Sequence, residues 1–237
     1  MQMPITASRL VSTLSVICAI VLAVFAWPAK GQVVLSQVDD FEADLRNWSS
    51  GAGANPVPPS RALDVGPGGT GDDAMRIRAI GGGGAGRALV ALNKQSQWSG
   101  DYLSAGVTSI TLGLNNVGAG DLTMRLAFQG ADNTTWFVST LGYNIPAGSG
   151  WRTSQFSLAE GDLTRVQGTQ SYGVSLGNVT EMRILHSTLP DFRGTIVVGN
   201  LLVDNIAAVP EPAASVAALA LAAAGTIRWL RRRAQPA

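Results

Sequence analysis

The sequence contains a single cysteine, Cys18, and a single histidine, His186. Cys18 lies in an apolar N-terminal run that we interpret as a cleaved signal, so the processed protein is expected to lack a thiol. This excludes disulfides, a cysteine nucleophile and cysteine-based metal sites. A single histidine also excludes histidine-rich metal centres. A Ser–His–Asp triad would have only His186 as its base. Because His186 lies on a predicted strand, a structural role is favoured over general-base catalysis.

Charged residues are also scarce, at 14% of the chain. Six of the 17 basic residues and one of the 16 acidic residues lie in the two terminal segments, so residues 32–208 carry a net charge of about −4. A basic surface of the kind that binds nucleic acid is therefore not indicated by the overall charge. We expect no nucleic-acid partner.

The N-terminus has the pattern of a secretory signal peptide. Arg9 precedes a run from Leu10 to Ala26 that contains no charged residue, and small residues follow it. Cleavage is expected after Ala26 or near Gly31, which assigns residues 1–31 to the signal. A lipoprotein signal needs a small residue before its cysteine, whereas Ile17 precedes Cys18, so lipid attachment is not expected.

The C-terminus combines three features in a fixed order. Pro210-Glu211-Pro212 interrupts regular secondary structure between the domain and the segment that follows, because proline lacks an N–H donor and disfavours helix before it. An apolar run without a charged residue follows from Ala213 to Ile227. Residues 213–230 would be about 27 Å long as a helix, sufficient for a thin hydrocarbon core. Arg231, Arg232 and Arg233 then favour a cytoplasmic end. The alternative is a soluble alanine-rich helix with a basic end.

This composite tail, residues 209–237, resembles the PEP-CTERM sorting signal of exported bacterial proteins. The resemblance implies that exosortase, a membrane enzyme, recognises and processes the tail. It also implies an exported protein that is anchored in the membrane through residues 213–230 before processing, and that is then located at the cell surface or outside the cell.

Residues 32–208 have the pattern of an all-β domain. Apolar and polar residues alternate over 75–79 and again over 122–128, as in strands with one buried face. Short strands without helices predict an antiparallel β-sandwich. The other predicted strands are Val33–Val38, Arg87–Asn93, Val107–Leu114, Thr134–Leu141, Trp151–Leu158, Val179–His186 and Thr195–Ile206.

Two glycine-rich segments separate the first predicted strands. Residues 51–73 are rich in glycine and proline and predict a long loop. Residues 81–86 contain a formal G-x-G-x-x-G, but a strand-like segment follows where a dinucleotide site requires a helix. We therefore expect a hairpin connection there and no dinucleotide site.

Three short motifs indicate a fold for this domain. Val38-Asp39-Asp40-Phe41-Glu42 with Trp48, Gly150-Trp151-Arg152, and Leu202-Val203-Asp204-Asn205-Ile206 resemble the opening, a middle strand and the closing strand of jelly-roll carbohydrate-binding modules of the galactose-binding-like type. The resemblance implies a jelly roll with a structural calcium ion where the first and last strands meet. Its candidate ligands are Asp40, Glu42 and Asp204. Asp72 and Asp73 are further acids within reach of this edge, although no sequence feature places them there. Alternatively, these acids are solvated or cap turns.

Saccharide binding requires aromatic faces for stacking and polar groups at the rim. Trp136 and Phe137 are adjacent on one predicted strand, so their rings are expected on opposite faces. Trp48 and Trp151 are expected in the core. The rings predicted to be available to a saccharide are Trp136, Tyr143 and Tyr172.

The sequence thus predicts an exported matrix or surface protein that binds polysaccharide without catalysis. Two alternatives remain open at this point. A polysaccharide lyase or glycosidase on the same sandwich would need two opposed carboxylates in one groove. A ligand-free coat protein would bury its large rings and have no binding groove.

Overall fold

The computed structural model describes residues 32–51 and 53–210. The signal segment, the apolar segment 213–230 and the sorting motif beyond Pro210 lie outside the described residues, so these assignments remain predictions. Within the described ranges, no helix is long and apolar enough to cross a membrane.

The described chain forms twelve strands, one short α-helix and two 3₁₀ turns at Ser96–Trp98 and Glu160–Asp162. The helix, α1, spans Tyr172–Leu176. The strands are β1 Val38–Asp39, β2 Ser60–Ala62, β3 Ala74–Ile80, β4 Val90–Asn93, β5 Ser109–Asn116, β6 Leu122–Gln129, β7 Trp136–Ser139, β8 Tyr143–Ile145, β9 Trp151–Ser157, β10 Leu163–Gln167, β11 Glu181–His186 and β12 Val198–Val209.

The strands form two antiparallel sheets that face each other. Sheet A has the order β2-β3-β12-β5-β9, with β1 paired to β12, and sheet B has the order β10-β7-β6-β11-β4, with β8 paired to β6. The main strands are β3, β4, β5, β6, β7, β9, β11 and β12. Numbered one to eight, they give the orders 1-8-3-6 and 2-7-4-5, which is the jelly-roll arrangement. The predicted sandwich is confirmed.

The core lies between the two sheets because alternate residues of each strand point inward. In β6, the inward side chains include Met124, Leu126 and Phe128, and each is at most 1% exposed. In β5, the same period of two buries Ile110 and Leu112 completely. Burial of each such side chain contributes about 1.5–3 kcal/mol relative to exposure, so these strands anchor the sandwich.

Each predicted strand overlaps a strand of the structure, and three short strands were not predicted. β2 lies inside the predicted 51–73 loop, while β8 and β10 contain only three and five residues. The three residues of β2 and of β8 are too few for alternation to be visible, and the sequence of β10, Leu-Thr-Arg-Val-Gln, does not alternate. The expectation of a domain without helices was also wrong at α1, which is a single turn and a half.

The expected hairpin at residues 81–86 is wrong. β3 belongs to sheet A and β4 to sheet B, so this segment passes between the two sheets instead of joining paired neighbours. Gly81, Gly82, Gly84 and Gly86 have positive φ angles of 69° to 89°. These angles suit glycine because it has no Cβ, which explains the polyglycine composition.

β12 contains the irregularity that organises one surface of the domain. Its register shifts between Asp204 and Ala207, and Asn205 adopts a φ of 50°. β12 pairs with β3 up to Val203 and with β1 from Ile206, so the bulge lies between the ends of these two strands. Bulges of this kind redirect side chains and interrupt pairing.

Candidate functional site

The first candidate site is the acidic group around the β12 bulge. Asp204 is fully buried, and its Oδ2 accepts a hydrogen bond of 2.7 Å from the Asn205 side-chain amide. Its Oδ1 has no hydrogen-bond partner among the described residues. Asp40 and Glu42 follow β1, and Asp72 precedes β3, so the fold brings three acids to the gap that contains Asp204.

The surroundings of Asp204 disfavour its negative charge. Burial, with a smaller contribution from the charges of Asp72, Glu42 and Asp40, raises the pKa of Asp204 to about 7. A buried carboxylate with an unpaired oxygen is normally costly. The arrangement therefore favours a proton or a cation at Asp204.

The other acids of this region are partly engaged. Asp40 forms a 3.3 Å ion pair with Arg46, and Glu42 Oε1 accepts a 3.0 Å bond from the Asp73 backbone N–H. Asp73 is paired with Arg61. Within residues 32–51 and 53–210, no group of three or more acidic, histidine or cysteine side chains has the geometry of a metal site. The donor set fits a hard cation chemically, since all its groups offer oxygen.

The second candidate site is a groove of about 500 Å³ on the outer face of sheet A. Trp151, on the edge strand β9, forms one wall, and its indole N–H donates a 3.0 Å hydrogen bond to the Val65 carbonyl. Gly113 on β5 forms part of the floor, and a Cβ added there would lie 3.5 Å from the Trp151 ring. The ring therefore rests against a strand position that has no side chain.

The groove combines apolar and polar groups. Val38 and Pro67 provide apolar surface, while Arg152 and Asn205 provide hydrogen-bonding groups. The remaining lining residues are Thr111, Leu112, Gly113, Trp151, Thr153 and Ala207. None of these ten residues carries a carboxylate.

Trp151 was assigned to the core from the sequence, and that expectation was wrong. Trp151 is half-buried on the outer face of sheet A, where it packs beside Ala62, Ala74 and Leu202. The signal that could have revealed it is Gly113, because glycine inside a strand often marks a close approach by another group. Pairing of β5 with β9 places Gly113 diagonally opposite Trp151.

The structure does not bring the three predicted saccharide-stacking rings together. Trp136 is 2% exposed on the outer face of sheet B, opposite the inward-facing Phe137. Tyr143 is partly buried on β8, and its hydroxyl donates a 3.3 Å bond to the Thr153 carbonyl. Tyr172, on α1, donates a 2.6 Å bond to the Leu158 carbonyl.

Trp48 belongs to the core, as predicted, and is linked there to a buried acid. Asp39 Oδ2 accepts hydrogen bonds from the Trp48 and Trp98 indole N–H groups at 2.8 and 2.6 Å. Burial raises the pKa of Asp39, and the two indole donors oppose that increase. This cluster fixes the end of β1 next to Asp40.

His186 has a structural environment. It is 5% exposed, and its Nδ1 accepts a 2.9 Å hydrogen bond from the Thr123 backbone N–H. Burial lowers the pKa of His186. These contacts join β11 to β6 and hold the imidazole neutral.

No protein-family model and no curated protein matches the sequence. The structure is similar to a family 11 carbohydrate-binding module from Clostridium thermocellum in complex with a β-1,3-1,4-mixed-linked tetrasaccharide, with a TM-score of 0.49, 20% identity, and coverage of 76% of this chain and 98% of that one. It is similar to a module specific for non-crystalline cellulose, CBM28, at a TM-score of 0.41, 18% identity, and coverage of 76% and 96%. The structure is also similar to part of an agarase, with a TM-score of 0.49, 12% identity, and coverage of 76% of this chain and 25% of the agarase.

Proposed function

We propose that the β-sandwich binds a polysaccharide, without catalysis, in the groove beside Trp151. The observation that carries this proposal is a half-buried indole beside an open groove of about 500 Å³ whose polar groups are amide, hydroxyl and guanidinium. Such a combination suits a sugar ring, because its C–H face stacks on an aromatic ring while its hydroxyls bond to the polar rim.

The lining of the groove favours binding over cleavage. Glycoside hydrolysis needs two carboxylates that flank the bond to be broken, and the groove is lined by none. The same geometry disfavours a ligand-free coat protein, since Trp151 is accessible from the groove. A polysaccharide-degrading enzyme stays the alternative, and it would require a carboxylate pair elsewhere.

The role that fits this binding is an exported matrix or surface protein that retains exopolysaccharide. Export, processing by exosortase and membrane anchoring are part of the proposal and are supported by the sequence of the two terminal segments. Replacement of Pro210-Glu211-Pro212 by alanines should leave an unprocessed protein in the membrane fraction. Normal release with unchanged mass would contradict the sorting role.

A structural calcium ion at the β12 bulge is a further part of the proposal. Its support is the unpartnered Oδ1 of the buried Asp204, with Asp40, Glu42 and Asp72 nearby. Asp40, Glu42 and Asp204 would hold the ion, which would neutralise their charge and join the ends of β1 and β3 to β12. Thermal melting with calcium and with EDTA tests it, and coincident curves would contradict it.

Binding is tested with the full chain, purified in a detergent that has no sugar headgroup. Saturable retention on the producing organism's exopolysaccharide is expected. Trp151→Ala should weaken it at least tenfold, since loss of a central aromatic contact costs about 2 kcal/mol or more and about 1.4 kcal/mol is already tenfold. Trp151→Phe should retain part of the affinity.

Tyr172→Ala serves as the matched control, because Tyr172 is a partly buried ring outside the groove lining, and its hydroxyl donates a hydrogen bond to the Leu158 carbonyl, which is also outside it. It should bind as the wild type does. Equal losses for Trp151→Ala and Tyr172→Ala would contradict the assignment to this groove, and no retention of the wild type would contradict saccharide binding itself.

A further inference from the structure

The outer face of sheet B contains a second depression, of about 310 Å³, with a different chemical character. Four basic side chains line it: Arg87 from the segment before β4, Lys94 after β4, Arg183 from β11 and Arg193 from the segment after β11. The pairing of β4 with β11 brings them together, since Arg183 is opposite Leu92. We call the depression lined by these four basic side chains the basic depression.

Among the described residues, one carboxylate forms ion pairs with this group. Glu181 is 1% exposed and is paired with Arg183 and, at 3.1 Å, with Lys94. Arg87 and Arg193 are exposed, and neither forms an ion pair with any residue in the described ranges. Asp191 is a second acid at this site, since its Oδ1 accepts a 2.7 Å hydrogen bond from the Arg193 backbone N–H. Four cations and two anions leave the basic depression with a local charge of about +2, whereas residues 32–208 as a whole carry about −4.

Two of the cations are held in place by an aromatic stack. Phe192 lies parallel to Trp136 with ring centroids 4.6 Å apart. Arg183 lies 4.2 Å from the Trp136 centroid, and Arg193 lies 4.6 Å from the Phe192 centroid. Arg183 also donates a 2.9 Å hydrogen bond to the Phe192 carbonyl. Guanidinium groups that are fixed before binding lose less conformational entropy when an anion arrives.

The stack also shows which ligand chemistry suits this face. Trp136 is 2% exposed, so its face is not available for stacking on a sugar or a base. Recognition here must therefore come from charge and hydrogen bonding. Arginine donors in a fixed fork match carboxylate and sulfate oxygens well.

We infer that the basic depression binds the acidic groups of a carboxylated polysaccharide. The inference rests on the proposed polysaccharide-binding function and adds a second contact surface, on the opposite outer face from the Trp151 groove. A polymer whose negative charges are widely spaced can place them on this small cationic area while few of its other charges meet the negative surface of the domain. Nucleic acid, with one charge per roughly 1.7 Å of duplex, would be repelled by the rest of the domain.

The test compares hyaluronate with its methyl ester, which has the same backbone but no charge. Retention of the full chain is measured by affinity electrophoresis at several salt concentrations, with duplex DNA as a second polyanion. At low salt we expect hyaluronate to bind at least about tenfold more tightly than the ester and than DNA, and its binding should weaken as salt increases.

The variant that tests the site is Arg87→Gln with Arg193→Gln, which removes two exposed charges. It should lower hyaluronate affinity about tenfold. The control is Arg78→Gln with Arg165→Gln, which makes the same change in net charge at exposed positions outside the lining and should bind as the wild type does. Equal losses in the two double variants, equal binding of the ester, or DNA binding as tight as hyaluronate binding would overturn the inference.

Failure of this inference is distinguishable from failure of the proposed function. If only the Trp151 groove binds saccharide, hyaluronate and its ester bind equally and Trp151→Ala weakens both. If only the basic depression binds, Trp151→Ala has no effect on either polymer, while the Arg87/Arg193 variant loses hyaluronate. The second result supports the inference and contradicts the groove assignment.

Discussion

Asp204→Asn should make the calcium-free protein more stable. Asparagine has the same shape as aspartate, and its carbonyl oxygen can still accept the hydrogen bond from the Asn205 amide, which is 2.7 Å long in the wild type. The substitution removes a buried negative charge that lies near Asp40, Glu42 and Asp72. Removing the charge therefore removes a repulsion without leaving a cavity.

The size of the effect follows from the pKa of Asp204, which burial raises from 3.8 to about 7. Below pH 3.8 the group is protonated in both the folded and the unfolded state and contributes nothing. Between 3.8 and 7 the folded state holds the extra proton, so stability falls as pH rises, and above 7 the full cost is present. The cost is about 2 kcal/mol at pH 5 and about 4 kcal/mol at pH 8.

The assay is urea denaturation of the wild type and Asp204→Asn in EDTA at pH 5 and pH 8, followed by tryptophan fluorescence. The variant should be more stable at both pH values, with the larger gain at pH 8 and an unchanged m-value. Calcium at 100 times its Kd should add about 2.7 kcal/mol to the wild type and reduce or reverse the difference. A variant no more stable than the wild type at pH 8 in EDTA would refute the reasoning.

Two other predictions concern buried polar groups. Asp39→Ala should destabilise the fold by about 2–4 kcal/mol, because it leaves the Trp48 and Trp98 indole N–H groups buried without an acceptor; Asp39→Asn, which keeps an oxygen, should lose less in the same denaturation assay. His186→Gln should lose less stability at pH 5 than at pH 7, because burial lowers the pKa of His186, and the wild type is weakened as pH falls below 6.5. A loss independent of pH would contradict that assignment.

The fold was largely predictable because its main strands alternate visibly. β6 and β3 each show a clean period of two, and their predicted ranges differ from the observed strands by only one or two residues. The strand β8 has three residues, too few to show a period. The segment 81–86 was misassigned because local sequence specifies a turn but not which sheet receives the next strand.

The candidate sites were less predictable because they depend on strand order. Asp40 and Asp204 are far apart in the chain, and only the resemblance of their motifs to a family predicts that they lie together. Asp72 lies near them because it precedes β3, which pairs with β12. The outward position of Trp151 is indicated only by Gly113, which lies on another strand, so the signal depends on knowing that β5 pairs with β9. The four cations of the basic depression come from four places in the chain, on and around β4 and β11, and the overall negative charge of the domain conceals them.

The central claim, saccharide binding in the Trp151 groove, is tested most directly by hydroxyl-radical footprinting of the full chain with and without exopolysaccharide. The account predicts that saturating saccharide lowers oxidation of the Trp151 side chain and leaves Tyr143 and Tyr172 unchanged. Unchanged oxidation of Trp151 in the presence of saturable binding, with protection of Tyr143 or Tyr172 instead, would contradict it.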